Sequence, residues 1–456
     1  MKKLVLAIAA AVLMASPAFA AVQNVKVSGN ITSSYVNRSD FNFKQEGTVS
    51  QSRQSVFLTQ ATLRVDADLS DNVSTTVGLI NEREWGGENS SSVETQPTEV
   101  DIYLAYVTLR EFLYSPLTLT VGRQAFAFGN GLVFDATGTN NAASSRIGTF
   151  AADLTMRSSL DAVRATLDYK PLTIDLFAGK VAQGNVKALG AKKDDTDAYG
   201  INANYQLGDA LNTVVEGYVF GKNVGEGSSA TGDHTDKIWT PGLRVSTNPV
   251  KGLNVQAEAA LQRGMDSGNN KRNGYALQAL ASYAIPVAEL EKYKTTVSGS
   301  YTYVSGDKTV DTNDNDGKNS AWDPMFENQN GGTIFNTIFN LTNLQILNAT
   351  VSASPLADVT TSLSWNGLWA AQSLAAGTDG IVTKSGYFVQ PDASTFSPEV
   401  TSNKSLGNEY DANIAYQYTE DVKFGLNLGI FVPGRAFTAA NNDPAKQAIA
   451  SVGVNF

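Results

Sequence analysis

Three features of the sequence predict an all-β chain: a closed antiparallel transmembrane β-barrel of about 18 strands, with long outer loops and short periplasmic turns. The chain opens with an export signal. Its strands alternate apolar and polar residues, and its connections alternate between tight turns and long polar stretches.

The export signal comes first. Lys2 and Lys3 precede an apolar run from Leu4 to Ala15, and Ser16-Pro17-Ala18-Phe19-Ala20 supplies an A-x-A cleavage site. Residues 1–20 are therefore expected to be a signal peptide and 21–456 a single outer-membrane barrel. The run is too short to cross a bilayer as a helix, which takes about 20 residues, and no other apolar stretch is longer. The remaining chain exceeds the roughly 250–300 residues at which globular cores divide, yet no linker or change of texture marks a boundary. A closed barrel accounts for this, because its girth grows with strand number.

The strands follow. Val422, Phe424, Leu426, Leu428, Ile430 and Val432 share one face, and Lys423, Gly425, Asn427 and Gly429 share the other. Leu363, Trp365 and Trp369 oppose Thr360, Ser362, Ser364 and Asn366; Val255, Ala257 and Ala259 oppose Asn254, Gln256 and Glu258. Ala61, Leu63, Val65 and Ala67 oppose Gln60, Thr62, Arg64, Asp66 and Asp68. In a transmembrane barrel the apolar face meets lipid and the polar face lines the lumen. Alternation predicts strands at 22–36, 54–69, 72–85, 99–110, 115–125, 157–170, 172–183, 194–207, 211–223, 236–248, 252–264, 272–285, 293–305, 340–354, 358–371, 406–418, 421–432 and 447–456. Two of them resist assignment: both faces of 99–110 are apolar, and in 115–125 the parity of Leu117, Leu119 and Val121 also carries Arg123.

Connection length separates a barrel from a sandwich. Ser70-Asp71, Lys170-Pro171, Gly208-Asp209-Ala210, Pro355-Leu356 and Thr419-Glu420 are tight turns, whereas 126–156, 306–339 and 372–405 are long and polar. A sandwich has no reason to alternate in this way. Aromatics at strand ends, such as Tyr35, Trp85, Tyr169, Trp239 and Tyr418, fit headgroup-level girdles, although β-propensity also favours them. The last strand, Ala450 to Phe456, alternates and ends on Phe, like the C-terminal signal read by the barrel-insertion machinery.

Composition excludes several functions. Cysteine is absent, so there is no disulfide framework or thiolate site, and the formal charge of −10 argues against nucleic acid as a partner. His234 is the only histidine and has no G-x-S-x-G element near it, so no catalytic triad and no enzyme are expected. No organic cofactor is implied. Asp311, Asn313, Asp314 and Asp316 are hard oxygen donors that suit Ca²⁺, but the run lacks the EF-hand register, and solvated turns commonly look the same.

The segment from Val121-Gly122-Arg123-Gln124 through Phe126, Phe128 and Gly129 to Gly131 resembles the alginate-export family of outer-membrane barrels. A second matching stretch is Ser159-Leu160-Asp161-Ala162-Val163-Arg164, followed by the Lys170-Pro171 turn and the strand Leu172 to Lys180. The resemblance implies a passive channel with a basic lumen that passes an anionic sugar polymer. It places Arg123 and Arg164 at the lumen or constriction, with Asp161 as a partner. Arg64 joins them as an inward cation on the alternation. The alternative is a lumenal salt-bridge ladder with Asp161 and Asp168 that only stiffens the wall. Because Asp66, Asp68, Glu258 and Asp411 also point inward, a general or differently selective porin fits better than an alginate conduit.

The sequence thus predicts a porin for small polar or anionic solutes, oligo- or polysaccharides among them, in contact with outer-membrane lipid. Loop 126–156 is expected to fold into the pore. The rival functions are a structural or adhesive barrel and a sheath around a periplasmic partner, neither of which conducts. The sequence leaves the oligomeric state open.

Overall fold

A computed structural model describes residues 24–43, 53–85, 100–135, 154–156, 159–182, 196–225, 235–307, 317–329, 331–374 and 399–456. The expected signal peptide, the acidic run 311–316 and His234 lie outside the described residues. The strands are β1 (Asn24–Ser39), β2 (Arg53–Ser70), β3 (Val73–Glu84), β4 (Asp101–Leu109), β5 (Leu117–Gln124), β6 (Leu160–Asp168), β7 (Leu172–Ala182), β8 (Thr196–Gln206), β9 (Val214–Val224), β10 (Asp236–Val250) and β11 (Leu253–Leu261). They continue as β12 (Arg263–Met265), β13 (Lys271–Arg272), β14 (Tyr275–Ala284), β15 (Thr296–Val304), β16 (Lys318–Asn319), β17 (Leu344–Leu356), β18 (Val359–Ala370), β19 (Ser405–Gln417), β20 (Val422–Pro433) and β21 (Ala445–Asn455).

Short β12, β13 and β16 belong to the loops. The other 18 form one antiparallel sheet, each paired with its neighbour in the chain, and β1 pairs with β21 to close it. Closure leaves no open edge and satisfies every ladder, which a bilayer demands of strands. Each of the 18 strands expected from the sequence is present, with ends moved by a few residues.

Side-chain parity sets the two surfaces. Val27, Leu63, Val163, Leu176, Leu243, Leu347, Leu363 and Phe424 stand exposed on the outer wall. A continuous apolar surface of this kind is untenable in water and suits lipid. Rings gather at both ends of this band. At the loop end Tyr35 and Trp85 flank Phe57 at 4.8 and 5.0 Å, and Tyr199 meets Trp239 at 4.9 Å. At the turn end Tyr114 and Tyr169 share a hydrogen bond, and Tyr416 lies against Phe424.

The two ambiguous strands have local causes. In β4 the pairing to β3 slips between Gly78 and Leu79, leaving Tyr103 as an extra residue, so neither parity runs the whole length. In β5, Gln124 is buried inside and Arg123 is exposed outside, in step with Val121. The Tyr103 ring occupies the space beside Gly78, where a β-carbon would collide with it.

Candidate pore and selectivity site

Two loops turn inward at the outer end of the barrel. After β5, Phe126, Phe128 and Phe134 follow the inward parity of Gln124 and meet Phe177 of β7 and Phe220 of β9. Ring centroids lie 5.1 Å apart for Phe126–Phe177, 4.7 Å for Phe134–Phe177 and 5.2 Å for Phe128–Phe220. Gly129 and Gly131, with φ of 58° and 69°, make the reversal between these rings. Residues 126–135 therefore do fold into the barrel; 136–153 lie outside the described residues.

The second inward loop, from β16 to β17, is one the sequence reading labelled polar and external. It carries Trp322, Phe326, Ile334, Phe335, Ile338 and Phe339 into the same buried cluster, with a one-turn helix at Phe335–Ile338. The visible signal was the apolar density of 334–341. Phe134 bridges to Phe326, and the Asn328 amide donates to the Gly131 carbonyl at 2.8 Å, so the loops brace each other. Glu409 of β19, fully buried, accepts the backbone N–H groups of Thr333, Ile334 and Phe335 at 2.6, 2.8 and 2.6 Å. Asp411, two residues on, accepts the Thr333 hydroxyl at 2.7 Å.

The expected selectivity residues separate into two groups. Arg164 faces inward. Its Nε donates to Asp175 Oδ1 at 2.9 Å, and its guanidinium lies 5.0 Å from the Phe126 ring and 5.7 Å from Phe128. Its partner is thus Asp175, not Asp161 or Asp168. Arg64 also faces inward, forked onto Asp66 at 2.8 and 2.9 Å, with the Tyr106 hydroxyl at 3.4 Å. Its side chain is 42% exposed against 28% for Arg164, so Arg64 is the cation more open to the lumen.

Arg123 and Asp161 do not line the lumen, and the expectation that they would is corrected. They pair with each other on the outer wall, at 3.0 and 2.9 Å, with side chains 43% and 57% exposed. The reason is parity: once Gln124 and Phe126 point in, Arg123, one residue before Gln124 and in step with Val121, must point out.

The sequence reading missed the cross-strand network beneath the first loop. Arg244 donates to Glu216 at 3.0 Å, to Gln256 at 2.8 Å and to Asn130 of the loop at 3.3 Å, while Tyr218 donates to Glu258 at 2.6 Å. Lys222 reaches Asp323 of the second loop at 2.9 Å, and Arg272 bonds Asp236 and faces Asp323 at 3.9 Å. Burial pushes the Asp323 carboxyl up, but Lys222 and Arg272 outweigh it and hold the acid below its ordinary range.

Beside the buried Glu409 and Asp411, the wall of β17 to β21 is lined by amides and hydroxyls. Asn348 donates to Asn366, Asn427 to Asn413 and Gln447 to Asn427 at 2.7–3.0 Å, with Thr350 and Ser364 between. The lumen thus carries ion-paired arginines on β2, β6 and β10, and amides and hydroxyls on β17 to β21 around the buried Glu409 and Asp411 of β19. Among the described residues no cluster of three or more His, Cys, Asp or Glu is arranged to hold a metal.

Comparison with known proteins agrees with this architecture. OpdK of Pseudomonas aeruginosa, solved with vanillate, aligns over 95% of this chain and 99% of its own at 11% identity and a TM-score of 0.57. OpdQ of the same organism covers 96% and 99% at 13% identity and a TM-score of 0.57. OccAB1 of Acinetobacter baumannii covers 96% and 97% at 11% identity and 0.56. Identities this low speak to the fold alone. No curated protein matches the chain. The family model described as alginate export matches residues 25–451, and the chain accordingly belongs to the alginate-export family, as an outer-membrane β-barrel channel.

Proposed function

We propose that the channel passes small polar and anionic solutes by diffusion, that Arg64 is the principal cation they meet, and that the two inward loops set the clearance. The observation carrying this reading is the Arg64 guanidinium on the lumen wall, 42% exposed, forked onto Asp66 and beside Tyr106. A fixed charge beside a narrowing biases which ions pass. The other inward arginines are more enclosed and hold the loops. A barrel of this strand number leaves an aqueous lumen, and loops folded inside narrow it.

A long polyanion fits less well. Arg64, Arg164 and Arg244 are each paired with a carboxylate, and the chain carries a formal charge of −10. A conduit for a charged polymer calls for an unbroken positive field. OpdK, with the same fold, was solved with vanillate, a small aromatic carboxylate, and that supports the smaller solute class. We read the barrel as non-catalytic, since its one histidine, in a polar stretch beside Asp233 and Asp236, has no G-x-S-x-G element near it. Calcium at Asp311, Asn313, Asp314 and Asp316 remains a proposal, which conductance with and without a chelator tests.

The decisive experiment is single-channel recording of the refolded protein in a planar bilayer. Clear steps with anion preference that weakens in Arg64→Ala support the reading. A folded, heat-modifiable but silent barrel would refute it and leave the structural or sheath role.

A further inference from the structure

One row of outward side chains crosses β5 to β10 at the loop end of the barrel. Arg123 stands directly opposite Asp161, Asp161 opposite Lys180, Lys180 opposite Asp197, Asp197 opposite Asn223, and Asn223 opposite Lys237. Each residue is at or next to a strand end that borders a long connection, so the row runs along the outer-leaflet rim. Cations and anions alternate from Arg123 to Asp197, and neutral Asn223 separates Asp197 from Lys237. Arg123–Asp161 and Lys180–Asp197 are closed ion pairs at 2.9 and 2.6 Å, with side chains between 42% and 57% exposed.

Directly below the row, toward the bilayer centre, the wall is dented. Val121, Val163 and Ala178 are the outward residues there, backed by Gly122, Ala162, Gly179 and Ala198, and they bound a groove of about 620 Å³. The neighbouring outer wall carries larger side chains, such as Leu176 and Ile201. Tyr199 closes one side; its hydroxyl donates to Asn223 at 3.0 Å and its ring meets Trp239 edge-on, which marks the headgroup level. The groove is therefore apolar toward the membrane interior and charged at the interface.

We propose that this groove binds one outer-leaflet lipid, its acyl chain in the dent over Ala178 and its phosphate-bearing headgroup on Arg123 and Lys180. The order of polarity is that of a single amphiphile standing in the leaflet. Ion pairs this exposed are weak and hold their donors at the rim, where a phosphate can share them. Asp161 and Asp197 keep the cations upright, and they meet the metal ions or ammonium groups that accompany phosphates in such a leaflet. The site is independent of what passes through the lumen.

Native mass spectrometry of the detergent-solubilised barrel, titrated with a diphosphorylated glucosamine glycolipid (lipid A), tests this. The wild type is expected to take up one saturating adduct. Arg123→Ala and Lys180→Ala should each weaken it about fivefold, the worth of one cation near a lipid surface. Ala178→Trp should abolish the adduct by filling the dent while leaving the charge row intact. Both designs alter only the outer wall, and heat-modifiability on a gel verifies folding; should the charge variants fail to fold, Ala178→Trp still decides. Adducts that persist unchanged in the variants overturn the proposal. So does a wild type that binds inorganic phosphate equally well without the lipid, or one that covers this wall with a second barrel instead of lipid.

Discussion

Arg164 and Asp175 stand near each other on adjacent strands of the lumen wall, and the ion pair they form is roofed by a loop. The Asp175 carboxylate, 5% exposed, receives Arg164 Nε at 2.9 Å and the Thr166 hydroxyl at 2.6 Å, while the guanidinium's face is covered by Phe126 and Phe128. Removing the cation strands a buried carboxylate and uncaps two rings. Arg164→Ala should cost about 2–3 kcal/mol of barrel stability. A urea series following the heat-modifiable band measures this, and an unchanged midpoint would show the pair to be decorative.

Arg64 differs because its side chain is open to the lumen. Arg64→Ala should leave stability nearly intact and move ion selectivity toward cations, by an amount on the order of the ~1 kcal/mol of one partly screened charge. Reversal potentials in a salt gradient read this directly. High salt should shrink the difference between variant and wild type.

Glu409 grips three consecutive backbone N–H groups of the second loop. Glu409→Gln keeps the volume but offers one acceptor oxygen where the carboxylate offered two, and it carries no charge. The loop should loosen by about 1–3 kcal/mol. Open-channel current should become noisier and visit a larger conductance level. Wild-type noise in the variant would mean that the aromatic cluster alone holds the loop.

Acid should loosen the same loop from its other end. The Asp323 carboxyl is held below its ordinary range once folded, so its contribution is complete above the unfolded value and is lost as pH falls through the folded one. With an unfolded value of about 3.9, the anchor to Lys222 and Arg272 persists at neutral pH and fades below about pH 4. Protease access to 317–329 at graded pH tests this. Asp323→Asn should show a looser loop at pH 7 and lose that acid dependence.

Gly122 adopts φ of 124°, and a β-carbon there would strike the Ala105 carbonyl of the neighbouring strand. Gly122→Ala should therefore destabilise by about 1–2 kcal/mol or more, although the change adds only one carbon. Stability equal to wild type would mean that the β4–β5 pairing relaxes without cost.

The strands were legible because alternation and turn chemistry act over two to four neighbouring residues, and both recur around the whole barrel. Arg123 was legible too: its parity with Val121 pointed outward, and only the expectation that arginine belongs in a pore pulled it inside. The Arg244 network was not, although Glu258 was placed on the lumen face. Which carboxylate meets Arg244 depends on register, Glu216 opposite it on β9 and Glu258 opposite it on β11, and alternation fixes faces without fixing register. The second inward loop was hidden for a different reason. Its polar residues resemble those of any surface loop, and only its packing against Phe431 and the first loop decides that it turns in.

The aromatic cluster that joins the two loops divides labour within the barrel. Strand number sets how wide the cylinder is, but Phe134, Phe326 and Phe335 decide how much of that width stays open. Circumference and aperture are then separate heritable traits. Relatives can keep an identical frame, insert it by the same route, and admit different cargo by redrawing a few dozen residues that never touch lipid.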